Sequence, residues 1–388
     1  MPPPKEKLMR LKSVLAACAA LGLAAPARAD LPVQHVTIAK MMPDNGHRLY
    51  VMDYSLPHGV DGKEHVIDGD DFRVLGQITN GQMGTFNISA DGKVLYNATT
   101  FFSRGDHGTY TNVLEFYDPQ TLLPTGEIVL GQKRAQSTGV ATLMPESAGG
   151  KYLFVQNVTP ASSVSIIDLA AHKMISEIPL AGCYGIYPSV TQPARFSTLC
   201  GDGAVVTVGF NAKGAETSRK RSAVFFDPDK DPLFITAVQA GKKTLFISFL
   251  GVVHDIDMTG ATATQGAVWP VTSAVPAAEN WRPGGTLPIA YNDATKQLYI
   301  AMHDHGFEGS HKFPATEIWK VDIVSHKVET RGHADGAVSI AVSAGPKPLV
   351  FTVNGPNSSL SRYDGQTLAK LGETKKDFLE GGGPLMVQ

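Results

Sequence analysis

The sequence predicts an all-β protein, a seven-bladed β-propeller of four-stranded antiparallel blades, and three observations carry that reading. A unit of about 50 residues recurs along the chain, a period that belongs to propeller blades. Each copy opens with a short apolar strand of the form x-Leu-aromatic-apolar and adds a second apolar strand that usually ends in Asp. No copy carries the 3.6-residue apolar spacing of an amphipathic helix.

The opening strand reads Arg48-Leu49-Tyr50-Val51, Val94-Leu95-Tyr96, Tyr152-Leu153-Phe154-Val155, Thr244-Leu245-Phe246-Ile247, Gln297-Leu298-Tyr299-Ile300 and Pro348-Leu349-Val350-Phe351. A degenerate copy stands at Arg195-Phe196-Ser197-Thr198-Leu199. The second strand closes at Asp68, Asp118, Asp168, Asp257, Asp322 and Asp364, and the fourth unit substitutes Val205-Val206-Thr207-Val208. Six steps from the first Asp to the last average about 49 residues, within the range for four-stranded blades. Each Asp is expected to end its strand and organise the turn behind it, because its carboxylate accepts backbone N–H groups two residues on. Carboxylates repeated by symmetry do not make one catalytic site.

Composition agrees with a closed ring that buries both faces of every blade. Hydrophobic residues make up 43% of the chain and charged residues only 18%, with 39 glycines and 25 prolines for tight turns. The strands are therefore apolar at successive positions and do not strictly alternate. A formal net charge of −2 argues against a nucleic-acid backbone or an anionic membrane as partner.

Residues 1–29 read as a cleaved secretory signal. Lys5, Lys7, Arg10 and Lys12 give a basic start, Val14 to Ala25 an apolar stretch too short to span a membrane, and Ala27-Arg28-Ala29 a small-residue cleavage site. Residues 30–388 then form a single propeller domain, exported to an oxidising compartment, most simply a bacterial periplasm. Cys18 leaves with the signal, so Cys183 and Cys200 remain, and they are expected to form a disulfide around the least regular blade. Neither has the C-x-x-C context or basic neighbour of a redox-active pair.

The stretch from His303 to His311 holds three imidazoles and two carboxylates within nine residues. Structural metal sites usually spread their ligands over rigid elements with spacings such as H-x₃₋₅-H, so an ordered loop with hydrogen-bonded histidines, and not a metal site, is the expectation. No nucleophile elbow, phosphate-binding loop, H-E-x-x-H or dinucleotide fingerprint occurs in a fitting context. Asn280-Trp281-Arg282-Pro283-Gly284-Gly285 stands out as a Trp and an Arg in a loop before a blade. Trp281 either covers the end of the ring or, with Arg282, anchors an interface, where those residue types are favoured.

Four segments, taken in order, resemble the heavy subunit of quinoprotein amine dehydrogenases: Tyr117 to Leu122, Cys200-Gly201-Asp202-Gly203, Asn280 to Gly285, and Gly309-Ser310-His311-Lys312-Phe313-Pro314-Ala315. Asp231 to Ile235 and Gln156 to Ser163 place the resemblance nearer the aromatic amine dehydrogenase branch than the methylamine branch. The resemblance covers the chain from about Arg48 onward. It implies a seven-bladed propeller that joins, two heavy with two light, a small cysteine-rich light subunit. That partner carries tryptophan tryptophylquinone and the catalytic carboxylate, and its electrons pass to a periplasmic cupredoxin. No catalytic group, cofactor or metal is then expected on this chain, which would supply scaffold and part of the entrance to the active site.

The resemblance also places an aromatic residue beside the substrate channel at a position occupied here by Gln82, with Met83 next to it. A polar amide in that place is expected to change which amines are preferred, unless Gln82 is a solvated loop residue and Phe86 or another side chain forms the gate. Gln82, Met83, Phe86, Trp281 and Arg282 are thus the candidates for the channel and the subunit interface. Two other readings of the residues are an autonomous propeller lactonase or hydrolase, with acidic and His groups at the central channel, and a binding propeller with no enzymatic partner.

Overall fold

Strands built from β-branched and aromatic residues dominate the fold, and the most apolar of them are buried along their whole length, as in Tyr152–Asn157. The computed structural model describes residues 37–55, 57 and 59–388. The expected leader over 1–29 and the boundary before Asp30 lie outside the described residues. Lys40–Gln388 is one compact unit.

Strands β1 (Arg48–Asp53), β2 (Gly62–Asp68) and β3 (Val74–Gly81) make the first sheet. The second contains β4 (Thr85–Ile88), β5 (Leu95–Phe102), β6 (Tyr110–Tyr117) and β7 (Pro124–Leu130). Only three strands, β8 (Tyr152–Asn157), β9 (Ser163–Asp168) and β10 (Lys173–Pro179), form the third. The fourth is β11 (Cys183–Pro188), β12 (Arg195–Cys200), β13 (Ala204–Phe210) and β14 (Glu216–Val224). The fifth is β15 (Leu233–Ala240), β16 (Lys243–Ser248), β17 (Val252–Asp257) and β18 (Thr264–Pro270). One eight-stranded sheet then takes β19 (Arg282–Pro283), β20 (Ile289–Asn292), β21 (Gln297–His303), β22 (Ala315–Asp322), β23 (Lys327–Val342), β24 (Leu349–Asn354), β25 (Ser359–Asp364) and β26 (Lys370–Glu373). The last strand, β27 (Leu385–Val387), returns to pair with β1 and completes the first sheet at four strands.

The expectation of seven four-stranded blades is corrected by this hydrogen bonding. The propeller has five separate blades, four of four strands and one of three, and the remaining strands run together in the eight-stranded sheet. Two local causes explain the difference. Strand β23 is 16 residues long; its first part pairs with β22 up to Ala337, and its second part pairs with β24 from Ala337 onward. Register shifts absorb the change of partner, as bulges do, so no turn divides the two repeats. In front of β8, by contrast, the chain makes only isolated bridges, Arg134 to Asn157 and Glu146 to Leu153, around a short 3-10 turn at Ala141–Leu143. A fourth strand never forms there.

Buried side chains join each sheet to its neighbour. Tyr50, Val66 and Ile78 pack on Phe86, Leu95 and Tyr117, across the first junction. Phe154 and Ile166 meet Phe196 and Val208 further round, and Val51 and Ile67 meet Phe351 and Leu360 where the circuit closes. The repeated Asp residues sit outside this core, at the strand ends. Asp68 accepts the Asp70 N–H at 2.9 Å, and Asp118, Asp257, Asp322 and Asp364 accept N–H groups two residues on in the same way. They are turn organisers.

Candidate functional site

Strand direction alternates within each sheet, so every connection from the outermost strand of one sheet to the first strand of the next emerges at one end. The turn between β3 and β4 (81–84) and the loop between β18 and β19 (271–281) are both such connections. Two of the sequence-selected segments therefore share an end of the molecule, although they belong to different sheet junctions.

The first segment is a tight turn. Gly81 has φ +52° and Met83 φ +46°, a left-handed conformation that costs a non-glycine residue. Gln82 donates its N–H to the Thr100 carbonyl at 3.0 Å, and the side chains of Gln82 and Met83 are half-buried. Beneath them lies Arg134, 4% exposed. Its Nη1 donates to the carbonyls of Met83 (2.8 Å) and Ala135 (3.0 Å), and its Nη2 to the carbonyl of Gln82 (2.9 Å) and to Thr100 Oγ1 (2.7 Å). Burial pulls the guanidinium down to about 10. Nothing in the sequence near Arg134 marks it, because its partners in the turn lie about 50 residues away. Phe86 is packed inside the protein. It is 1% exposed, stacks on Tyr50 with ring centroids 5.4 Å apart, and belongs to the core between the first two sheets.

Also at this end, Asp53 finishes β1 and accepts the N–H groups of Glu380 (2.9 Å), Gly381 (2.9 Å) and Gly382 (3.1 Å), with His65 Nε2 at 3.2 Å. Burial alone would raise its carboxyl, but His65 and the three amides outweigh it and hold Asp53 at about 2. Neighbouring Glu64 is 1% exposed, and its Oε2 has no partner. Burial, helped by the Asp53 charge, pushes the Glu64 carboxyl well above its ordinary value.

In the second segment the Trp281 indole is covered, not displayed. Its Nε1 donates to Glu279 Oε2 at 2.7 Å, its ring lies 5.2 Å from that of Trp319, and the Arg331 guanidinium stands 4.7 Å over one ring and 4.8 Å over the other. Arg331 is fixed in turn by a forked pair with Glu317, at 2.6 and 3.0 Å. Arg282 is half-buried; its Nη1 donates to the Trp281 carbonyl at 2.8 Å, and its guanidinium lies 5.8 Å from the Phe249 ring. Burial draws its pKa down against the opposing pull of Asp231. A cavity of about 490 Å³ opens beside it, lined by Leu250, Val252, Pro270, Val275, Trp281 and Arg282 among others.

The histidine stretch does not converge. His303 ends β21 with 5% exposure and its Nδ1 3.1 Å from the Asp304 carbonyl, whereas the side chain of His305 is 84% exposed and His311 is also at the surface. Among the described residues no three His, Cys, Asp or Glu side chains are grouped to hold a metal. Cys183 and Cys200 face each other on β11 and β12 and are disulfide-bonded. Among the described residues no helix is long and apolar enough to cross a membrane.

Fold and loops together define a β-propeller that closes by pairing its two terminal strands and holds rigid connections at one end of its sheets. Residues 45–385 match the family described as methylamine dehydrogenase heavy chain (MADH), and the chain belongs to that family. It is 26% identical over 378 residues to the methylamine dehydrogenase heavy chain of Methylorubrum extorquens, covering 96% of this chain and 88% of the relative. To the heavy chain of Paracoccus versutus it is 28% identical over 348 residues, covering 87% and 78%. These relatives support the heavy-chain family and do not single out the aromatic amine branch. Among solved structures, a functionally unknown protein from Desulfotomaculum acetoxidans superposes with a TM-score of 0.59 at 12% identity, covering 87% of this chain and 98% of that one. Dihydro-heme d1 dehydrogenase NirN gives 0.53 at 15% identity, covering 90% and 77%. At those identities the likeness is one of fold.

Proposed function

We propose that this chain is the heavy, scaffold subunit of a periplasmic amine dehydrogenase that works with a separate light subunit. The observation that carries the reading is family membership across 45–385, nearly the whole propeller. In this reading the light subunit holds the catalytic groups and tryptophan tryptophylquinone, and two heavy chains assemble with two light ones. When bound there, the quinone supplies the two-electron acceptor for oxidation of a primary amine, and a cupredoxin receives the electrons. Export is supported by the basic, apolar and small-residue order of 1–29 and by the disulfide, which suits an oxidising compartment.

The heavy subunit's part is positional. Gln82 and Met83 stand half-buried on a fixed turn, and Arg282 borders the cavity at the same end. These are the surfaces proposed to face the light subunit and the amine. Gln82, a polar amide, is proposed to shift preference among primary amines relative to an enzyme with an aromatic residue there. Purification of the tagged chain from its native host tests the assignment: a small cysteine-rich chain with a quinone absorbance should accompany it. Recovery of the chain with no such companion, under conditions where amines are consumed, would overturn it.

A further inference from the structure

We propose that Arg134 is a positioning residue, whose buried guanidinium locks the Gln82–Met83 turn into the conformation in which this chain meets its partner subunit. The inference rests on the heavy-subunit reading for the identity of the partner, but the lock itself is a property of this chain.

Every N–H that Arg134 donates goes to a neutral acceptor: the carbonyls of Gln82, Met83 and Ala135, and Thr100 Oγ1. Among the described residues no carboxylate pairs with it, and its Nε is buried without a partner. Burying a cation without a counter-charge is costly, so a plain linker would not be expected to use one. The corresponding connection between β10 and β11 shows the cheaper solution. There Leu180 N–H bonds Ser162 O at 2.9 Å and Cys183 N–H bonds Leu180 O at 3.0 Å, and the chain passes on with backbone bonds.

What the guanidinium holds is a conformation the backbone would not keep alone. Both carbonyls that it binds in the turn flank the left-handed Met83. The turn is also wedged from two sides: a Cβ on Gly84 would overlap Asn80, and a Cβ on Gly139 would overlap the Gly84 carbonyl. Gln136 Nε2 reaches the same Thr100 hydroxyl at 3.2 Å, so one fork ties three segments of chain that are distant in sequence. Gln82 and Met83 are left half-exposed on a rigid base. A surface ordered before encounter does not lose that freedom on binding, which raises affinity without any new contact.

The test compares the full-length wild type with Arg134→Met and Arg134→Lys in two measurements. Amide hydrogen exchange on the isolated chain should show the 82–84 amides exchanging about tenfold faster or more in Arg134→Met, with the strands unchanged, because the opening is local. Titration with the small subunit that co-purifies with the wild type should show about tenfold weaker binding, with thermal unfolding moved only slightly. Arg134→Lys should fall between, since an ammonium has no planar fork to hold two carbonyls. Unchanged exchange at 82–84 refutes the lock, and faster exchange with unchanged affinity refutes its role at the interface. Should Arg134→Met fail to fold, Thr100→Val removes one acceptor and is read by the same measurements. Should the wild type capture no small subunit, the heavy-subunit reading fails and the partner role with it, while exchange still decides whether Arg134 locks the turn.

Discussion

Asp53→Asn should weaken the closure of the propeller by an amount that depends on pH. Asp53 stands at the end of the first strand and receives amide donors from Glu380, Gly381 and Gly382, more than 300 residues away, just before β27 adds to β1. Its folded carboxyl lies at about 2 against an ordinary 3.8, the donors and His65 outweighing burial. That difference is worth about 2 kcal/mol of folding stability at neutral pH. A lowered carboxyl contributes above its unfolded value and loses the contribution as pH falls through the folded one, so about half should be gone by pH 3. Asn keeps the shape and one acceptor oxygen but not the charge. Urea unfolding of wild type and variant at pH 7 should therefore differ by about 2 kcal/mol, or about 3 °C in thermal midpoint for a unit of this size. The gap should narrow markedly at pH 3. A gap below about 0.5 kcal/mol at pH 7, or one equally large at both pH values, would refute the reasoning.

Glu64→Gln should act in the opposite sense. Its raised carboxyl favours the protonated folded form, so wild-type stability falls as pH rises past 4.5; the variant should have the higher urea midpoint at pH 8 and no advantage at pH 4. Replacing Cys183 and Cys200 by Ser removes a link between residues 17 apart, which should cost about 3 kcal/mol, and reduction of the wild type should reproduce the loss. Gln82→Phe in the assembled enzyme should alter the ratio of kcat/KM for an aryl and a short alkyl amine by on the order of tenfold; an unchanged ratio would remove Gln82 from the channel.

The hairpins were legible in the chain because each is a local event: an apolar opening strand, a turn, and a second strand that ends at Asp. Every opening segment read from the sequence falls on a strand paired with its successor, with Val94 and Pro348 standing just before theirs; β1 pairs with β2 and β24 with β25. The number of sheets was not legible, since it depends on which neighbours the outer strands choose. Nothing in Lys327–Val342 announces that one strand will serve two partners, nor does 131–146 announce that it will make only isolated bridges. The site divides in the same way. Gln82 and Met83 were reached through the family resemblance, but Arg134 and the Asp53 contacts reach across about 50 and 327 residues and leave no local pattern. Trp281 drew attention as a possible anchor; a large apolar ring looks the same in sequence whether it is displayed or, as here, sandwiched with Arg331 and Trp319. The aromatic-branch placement rested on short segments, whereas the match along 45–385 defines the broader heavy-chain family.

Amine-dependent reduction of a redox dye, measured on the purified chain alone and on the same chain isolated with its small companion, tests the central claim most directly. Turnover should be found with the pair and be absent from the propeller by itself. Oxidation of primary amines by the isolated chain would contradict the account.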